Sequence, residues 1–330
     1  MKLKSFIPDK LILMMLGAVL LASLLPVHGE AAEAFSVVTD LAIGLLFFLH
    51  GAKLSTKEVF AGLTHWRLHL LIFSFTFVLF PILGLLLKPV LVPLAGNELY
   101  IGILYLCALP ATVQSAIALT SMAGGNIPAA VCSAATSSLI GIFLTPFIVM
   151  MLIGGQAQSI DPTDAITGIV IKLLLPFIAG QIARIWIGGW VARNKSWLKN
   201  VDQSSILLVV YGAFSHAVTE GLWTRLPIMD IVGLVVACLV LLGVVLLLTN
   251  AVSRLFGFPL EDRITIVFAA SKKSLATGVP MAQVLFAGTA SMGTLILPLM
   301  LFHQIQLMVC TVLAQRYANM PREQELAPQS

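Results

Sequence analysis

Two adjacent lysines, Lys272 and Lys273, stand inside the apolar run 262–288, flanked by Ser271 and Ser274. They lie about ten residues into that run, roughly 15 Å along a helix. A lysine near mid-bilayer costs at least ~2.5–3.5 kcal/mol on insertion scales and marks a functional candidate by default. Two plainer readings compete. Snorkelling along the aliphatic stem relieves one lysine, but two adjacent ones point about 100° apart on a helix. Alternatively, two short re-entrant pieces would leave both lysines in water. A second polar interruption, Pro110 followed by Thr112, Gln114 and Ser115, sits inside the apolar run 98–123. Its plainer reading is a proline kink whose serines bond back to the preceding turn.

Other catalytic chemistry is poorly served. The chain holds no HExxH, no paired carboxylates, no Ser/His/Asp arrangement and no GxxxxGK[ST] phosphate loop. The four cysteines stand singly in apolar runs and read as packing residues, not as metal ligands or disulfides. A net charge of +4 is too small and scattered for a nucleic-acid partner.

The elements that must position the lysines follow from composition. Of 330 residues, 59% are hydrophobic and 10% charged, and mean hydropathy is +1.01. A polar shell cannot be built from so few charges, so the bilayer serves as solvent. Apolar runs against charged breaks give ten expected spans: 8–26, 36–54, 66–87, 98–123, 127–153, 164–187, 202–223, 229–253, 262–288 and 292–316. With the N-terminus inside, the inner loops hold fourteen basic residues and the outer loops only Lys88 and Arg225. Lys172, Lys272 and Lys273 remain over, and Lys172 reads as a snorkelling residue near a span edge. Both termini are expected in the cytoplasm, with 317–330 a disordered tail. A rival reading makes the first span a cleaved signal ending at Ala32-Glu33-Ala34.

Ten spans divide into repeats of five, 8–153 and 164–316, whose orientations are opposite because five is odd. The interrupted spans four and nine hold corresponding places in the two halves. Both end in Ala-Gly, at Ala123-Gly124 and Ala287-Gly288. If both are broken, their second halves start near Thr112–Gln114 and near Ser274, and these helix N-termini favour an anion. The first halves end in carbonyls around Leu106–Leu109 and Ala269–Ser271 that need a cation, either sodium or a lysine ammonium. The expected ligand is a small organic anion. One lysine of the pair is a candidate to exchange a proton during transport.

The stretches FFLHGAKLS (47–55), HWRLHL (65–70), FVLFPILG (77–84), YLCALPATVQSAIALTSMAGGN (105–126), SKKSLATGVPMA (271–282) and LPLMLFHQIQLMVC (297–310) together resemble the bile acid:sodium symporter-like family, its bacterial orphan branch, over about residues 8–316. The resemblance implies an all-α membrane protein of ten transmembrane helices in two inverted five-helix repeats. It further implies a core domain with broken, crossing helices 4 and 9, a panel of helices 1, 2, 6 and 7, and alternating access. The sodium ligands of the better-known branch are poorly kept. Ala116 follows Ser115 where that branch has Asn, Thr76 falls at a Gln position, and Ala130 and Ala134 fall near two hydroxyl positions, although Ser133, Thr136 and Ser137 are close. No acid lies beside the break in span nine. Neither sodium coupling nor bile acid as substrate is carried over.

The substrate or ion site is expected at Thr112, Gln114, Ser115, Ser271, Lys272, Lys273, Ser274 and Thr277. Thr76, Asn126, Ser133, His303 and Gln304 are further candidates. His303, mid-span, either hydrogen-bonds a neighbouring helix or lines the pathway. His65, Trp66 and His69 read as interfacial, and His216 with Glu220 as a structural pair near the outer surface. The leading function is secondary active transport of an organic anion. Sodium-coupled symport, a non-transporting sensor or regulator, and a membrane-embedded enzyme are the alternatives. No organic cofactor or metal is expected.

Overall fold

The computed structural model describes residues 10–53, 65–153, 167–286 and 292–320. Among the described residues every regular element is a helix. Helix α1 is Lys10–Leu24, α2 Glu30–Lys53, α3 Trp66–Leu86, α4 Lys88–Ala108, α5 Val113–Ala123 and α6 Ile127–Ile153. Then follow α7 Thr167–Arg193, α8 Lys195–Thr219, the short α9 Leu222–Arg225, α10 Ile228–Leu255, α11 Leu260–Ala270, α12 Leu275–Leu285 and α13 Met292–Ala318. Seven of these, α2, α3, α4, α6, α7, α10 and α13, are long and apolar enough to cross a bilayer.

Three expected spans are not among the seven, each for a visible reason. Helix α1 has 15 residues, closing before Pro26. Helix α8 is 25 residues long but carries Lys195, Lys199 and Asp202 in its opening turns. The third, 262–288, is cut into α11 and α12 of 11 residues each. Helix α2 starts at Glu30, six residues before the expected 36, because Glu30 and Glu33 extend its first turn and suit the N-terminal end of the helix dipole. Span four begins in effect after Gly96, whose φ of 75° and ψ of 165° break α4. A side chain there would also meet the Asp230 carboxylate.

Both expected interruptions are real breaks. Helix α4 stops at Ala108 before Pro110, and α5 resumes at Val113. Helix α11 stops at Ala270, and α12 resumes at Leu275. Helix α5 closes on Gly124 in the left-handed conformation, with Gly125 N–H returning to the Thr120 carbonyl. The matching Ala287-Gly288 lies outside the described residues, as do Lys2, Lys4, Lys57, Asp161, Asp164, Arg322 and the tail beyond Met320.

Two π-helical turns, Phe75–Leu79 in α3 and Val170–Leu174 in α7, precede prolines Pro81 and Pro176. Proline lacks an N–H and crowds the carbonyl four residues back, so the widened turn takes up the mismatch.

Packing sorts the helices into two groups. Helix α1 lies on α8, and α2 lies along α7 and against α8. Helix α2 and α7 approach backbone to backbone at Gly51 and Gly180. A Cβ on Gly51 would come 2.1 Å from the Phe177 carbonyl oxygen, and one on Gly180 1.9 Å from that of Phe48. Such close approach by small residues is how helices adhere where lipid removes the hydrophobic drive. The other group builds on α4, α6, α10, α11 and α13. The groups meet where α8 packs on α12 and α13, and Ala217 fills the space beside Gly293.

Candidate functional site

The two breaks lie against each other. The Ser274 N–H donates to the Pro110 carbonyl at 2.8 Å, and the Thr112 hydroxyl donates to the Lys273 carbonyl at 2.7 Å. Interrupting a buried helix frees peptide groups that must find partners. Here they are found one by one. Ala111 N–H donates to the Ser137 hydroxyl at 3.0 Å, and the Thr145 hydroxyl donates to the Ala108 carbonyl at 2.9 Å. Gln306 clamps the other break: its Oε1 accepts from Lys273 N–H and its Nε2 donates to the Lys273 carbonyl, both at 3.0 Å. His303 Nδ1 lies 2.9 Å from Gln306 Nε2.

Lys273 completes the junction. Its ammonium is fully buried and donates to the carbonyls of Thr76, Cys107 and Leu109, each at 2.8 Å. An ammonium has three N–H groups, and all three are used. The Phe80 ring adds a face 4.1 Å from the nitrogen. The reason these carbonyls are free is local. In the π turn Phe80 N–H reaches back to Phe75, so the next N–H would serve Thr76, but the next residue is Pro81. Cys107 would be served by Ala111 N–H, which is spent on Ser137. Leu109 ends the helix before Pro110.

Lys272 is also fully buried, yet less well partnered. It donates to the Gln306 carbonyl at 3.3 Å and reaches the Cys310 thiol. Each lysine thus ties the α11–α12 break to a different wall, Lys273 to α3 and α4, Lys272 to α13.

The remaining expected residues divide. Ser274 caps α12 by accepting from Thr277 N–H at 3.2 Å, and the two hydroxyls lie 3.0 Å apart. The Ser115 and Ser271 hydroxyls are buried with no hydrogen-bond partner, while Gln114 is exposed on α5. Thr76 serves through its carbonyl; its hydroxyl returns to Ile72. Three candidates stand away from the junction. Asn126 caps α6 through Ala129 N–H and donates to Asp262 at 2.8 Å. Ser133 pairs with His69 at 2.7 Å, and His69 is buried. Gln304 Oε1 is buried with no hydrogen-bond partner, and it is Gln306 that reaches the break. Spacing held that signal: Gln306 is three residues from His303 and shares its helix face, whereas Gln304 is turned about 100° away.

Lys172 is likewise not a lone snorkelling cation, for Asp40 on α2 pairs with it at 2.7 Å. Lys53 pairs with Asp202, joining α2 to α8. His216 lines a cavity of about 380 Å³ with His28, Thr39, Gln283 and Phe286, where α2 and α8 face α12. Tyr105, unnoticed in the sequence, donates to the Gly278 carbonyl at 2.6 Å.

Residues 9–319 match the SBF-like CPA transporter family. A Pseudomonas aeruginosa protein named only as uncharacterized is 62% identical over 314 residues, covering 95% of this chain and 94% of its own. YfeH of Escherichia coli K12, whose name proposes a symporter, is 51% identical over 327 residues, covering 98% and 96%. Sodium/bile acid cotransporter 7 of Rattus norvegicus is 30% identical over 310 residues, covering 92% and 89%. With helices long and apolar enough to cross a bilayer and a match over nearly its whole length, the chain belongs to the SBF-like CPA transporter family and is an integral membrane transporter, not an enzyme.

Proposed function

We propose that the chain is a secondary active transporter of a small organic anion, working by alternating access, with Lys273 standing where a coupling cation would otherwise sit. The observation that carries this reading is the set of three carbonyls, from Thr76, Cys107 and Leu109, gathered on one lysine ammonium. Oxygen ligands without a carboxylate are what a monovalent cation needs, and an ammonium supplies the same charge without an ion to load. Around it, the α5 N-terminus carries no side-chain cap, and Ser115 holds an unpartnered hydroxyl close by in sequence. Free N–H groups at a helix start favour an anion, so the substrate is placed beside Thr112, Gln114 and Ser115.

In this reading the topology is ten spans in two inverted repeats, with α4–α5 and α11–α12 as the broken fourth and ninth. Both termini lie on the cytoplasmic side of the bacterial inner membrane, as the loop lysines and arginines suggest. The group α1, α2, α7 and α8 moves against the rest over the seam between α8 and α12–α13, where Ala217 and Gly293 offer a smooth surface. Lys272, with its single long carbonyl bond and a thiol, is the proton-exchanging candidate.

Sodium-coupled symport is the second reading. It draws on the name of the 30% identical cotransporter and on the unpartnered hydroxyls of Ser115 and Ser271. Counterflow of labelled organic anions in proteoliposomes separates the two. Exchange in sodium-free buffer, sensitive to an imposed pH gradient, supports the first reading. Exchange that appears only with sodium supports the second, and no exchange of any anion contradicts both.

A further inference from the structure

One to three turns along α13 from Gln306, a groove of about 610 Å³ runs between α10, α11 and α13. Its walls are apolar, built from Leu246, Val267, Met308 and Val312, and Asn250, Arg316 and Tyr317 stand among its lining. Two more arginines adjoin these polar residues. Arg263 donates to Asn250 Oδ1 at 3.4 Å, while its Nε is buried with no hydrogen-bond partner. Arg254 and Arg263 both act electrostatically on the Tyr317 hydroxyl. Among the described residues, no carboxylate pairs with any of the three arginines. Asp262, beside Arg263 in sequence, accepts from Asn126 instead.

The length of the groove is informative. Its lining on α13 runs from Met308 to Tyr317, about 14 Å of helix. That is about half of a hydrocarbon core of ~30 Å, or one leaflet. An apolar trough about one leaflet long, with three arginines at its end that pair with no carboxylate among the described residues, complements one kind of molecule that a bilayer supplies. We infer that this groove binds an anionic phospholipid, with an acyl chain along α10 and α13 and the phosphate held by Arg254, Arg263 and Arg316. The site lies apart from the substrate site and requires only that the protein sits in a membrane. It still bears on function. Val267 forms part of the wall and Lys272 follows five residues later, so the bound lipid braces the half-helix that leads into the lysines.

Native mass spectrometry of the detergent-purified full chain tests this with phosphatidylglycerol, phosphatidylethanolamine of the same acyl chains, and inorganic phosphate. Phosphatidylglycerol is expected to remain bound where phosphatidylethanolamine dissociates, and phosphate alone is expected not to displace it. Each neutralised arginine should weaken retention about fivefold, and Arg263→Gln with Arg316→Gln together about 25-fold. Gly243→Phe, at a position where an added Cβ meets nothing within 4 Å, should fill the trough and reduce lipid binding without touching the arginines. Arg193→Gln, on the exposed end of α7, should change nothing. Equal retention of the two lipids, full displacement by phosphate, or phosphatidylglycerol binding that survives both the paired arginine change and Gly243→Phe would overturn the inference.

Discussion

Lys273 Nζ and the Cys107 carbonyl oxygen lie 2.8 Å apart, although 166 residues separate them in the chain. The cation belongs to one broken helix and the oxygen to the other, so the contact fastens the two breaks together. Lys273→Met would leave the carbonyls of Thr76, Cys107 and Leu109 without a donor. Each buried acceptor so stranded costs about 1–3 kcal/mol, and a marked fall in melting temperature is the expected result. Lys273→Arg should rescue little, because a planar guanidinium cannot point three donors at oxygens arranged around a point charge. Thermal unfolding in detergent micelles checks both.

Gln306 and Gln304 are neighbours with opposite expected outcomes. Gln306→Leu removes both bonds to the Lys273 peptide and should destabilise by about 1–3 kcal/mol. Gln304→Leu removes a carbonyl that has no partner and should be neutral or mildly stabilising. Denaturation of the two variants side by side measures the difference.

How much of this arrangement could be read beforehand depends on the range of the interaction. The breaks were legible because Pro110 and Ser271–Ser274 violate the pattern locally, and the observed restarts at Val113 and Leu275 fall where the polar residues placed them. That a lysine ammonium could answer orphaned carbonyls near Leu106–Leu109 was also legible from helix-end chemistry. Which lysine does so was not, since it depends on how α3 lies against α4. The Thr76 carbonyl was hidden for the same reason: Pro81 is visible in the sequence, but the π turn that shifts its missing bond onto Thr76 is not. Asp40 escaped notice because an acid inside an apolar run has meaning only once Lys172 faces it. The bonds of Asn126 to Asp262 and of Ser133 to His69, which join α6 to α11 and to α3, were hidden as well, since each depends on how those helices lie together.

Asp40 and Lys172 offer a charge test. Asp40→Asn should impair folding in the membrane, as it strands a cation among apolar residues. The swap Asp40→Lys with Lys172→Asp should recover most of the loss. Expression level and monodispersity of the single and swapped variants report this directly.

Gly51 and Gly180 should tolerate no side chain. Gly51→Leu would press against the Phe177 backbone and force α2 from α7, so the helix pair comes apart. Even Gly180→Ala places a methyl group 1.9 Å from the Phe48 carbonyl oxygen before relaxation. A cysteine cross-link across the α2–α7 pair, formed readily in the parent, should form poorly in both variants.

The claim on which the transport reading turns is that Lys273 occupies the place of a coupling cation. Melting temperature in sodium chloride against choline chloride, for the parent protein and for Lys273→Ala, measures this without knowledge of the substrate. The parent should melt at the same temperature in both salts, and Lys273→Ala should melt lower in choline and recover part of the loss in sodium. A parent protein stabilised by sodium, with Lys273→Ala indifferent to it, would contradict the account.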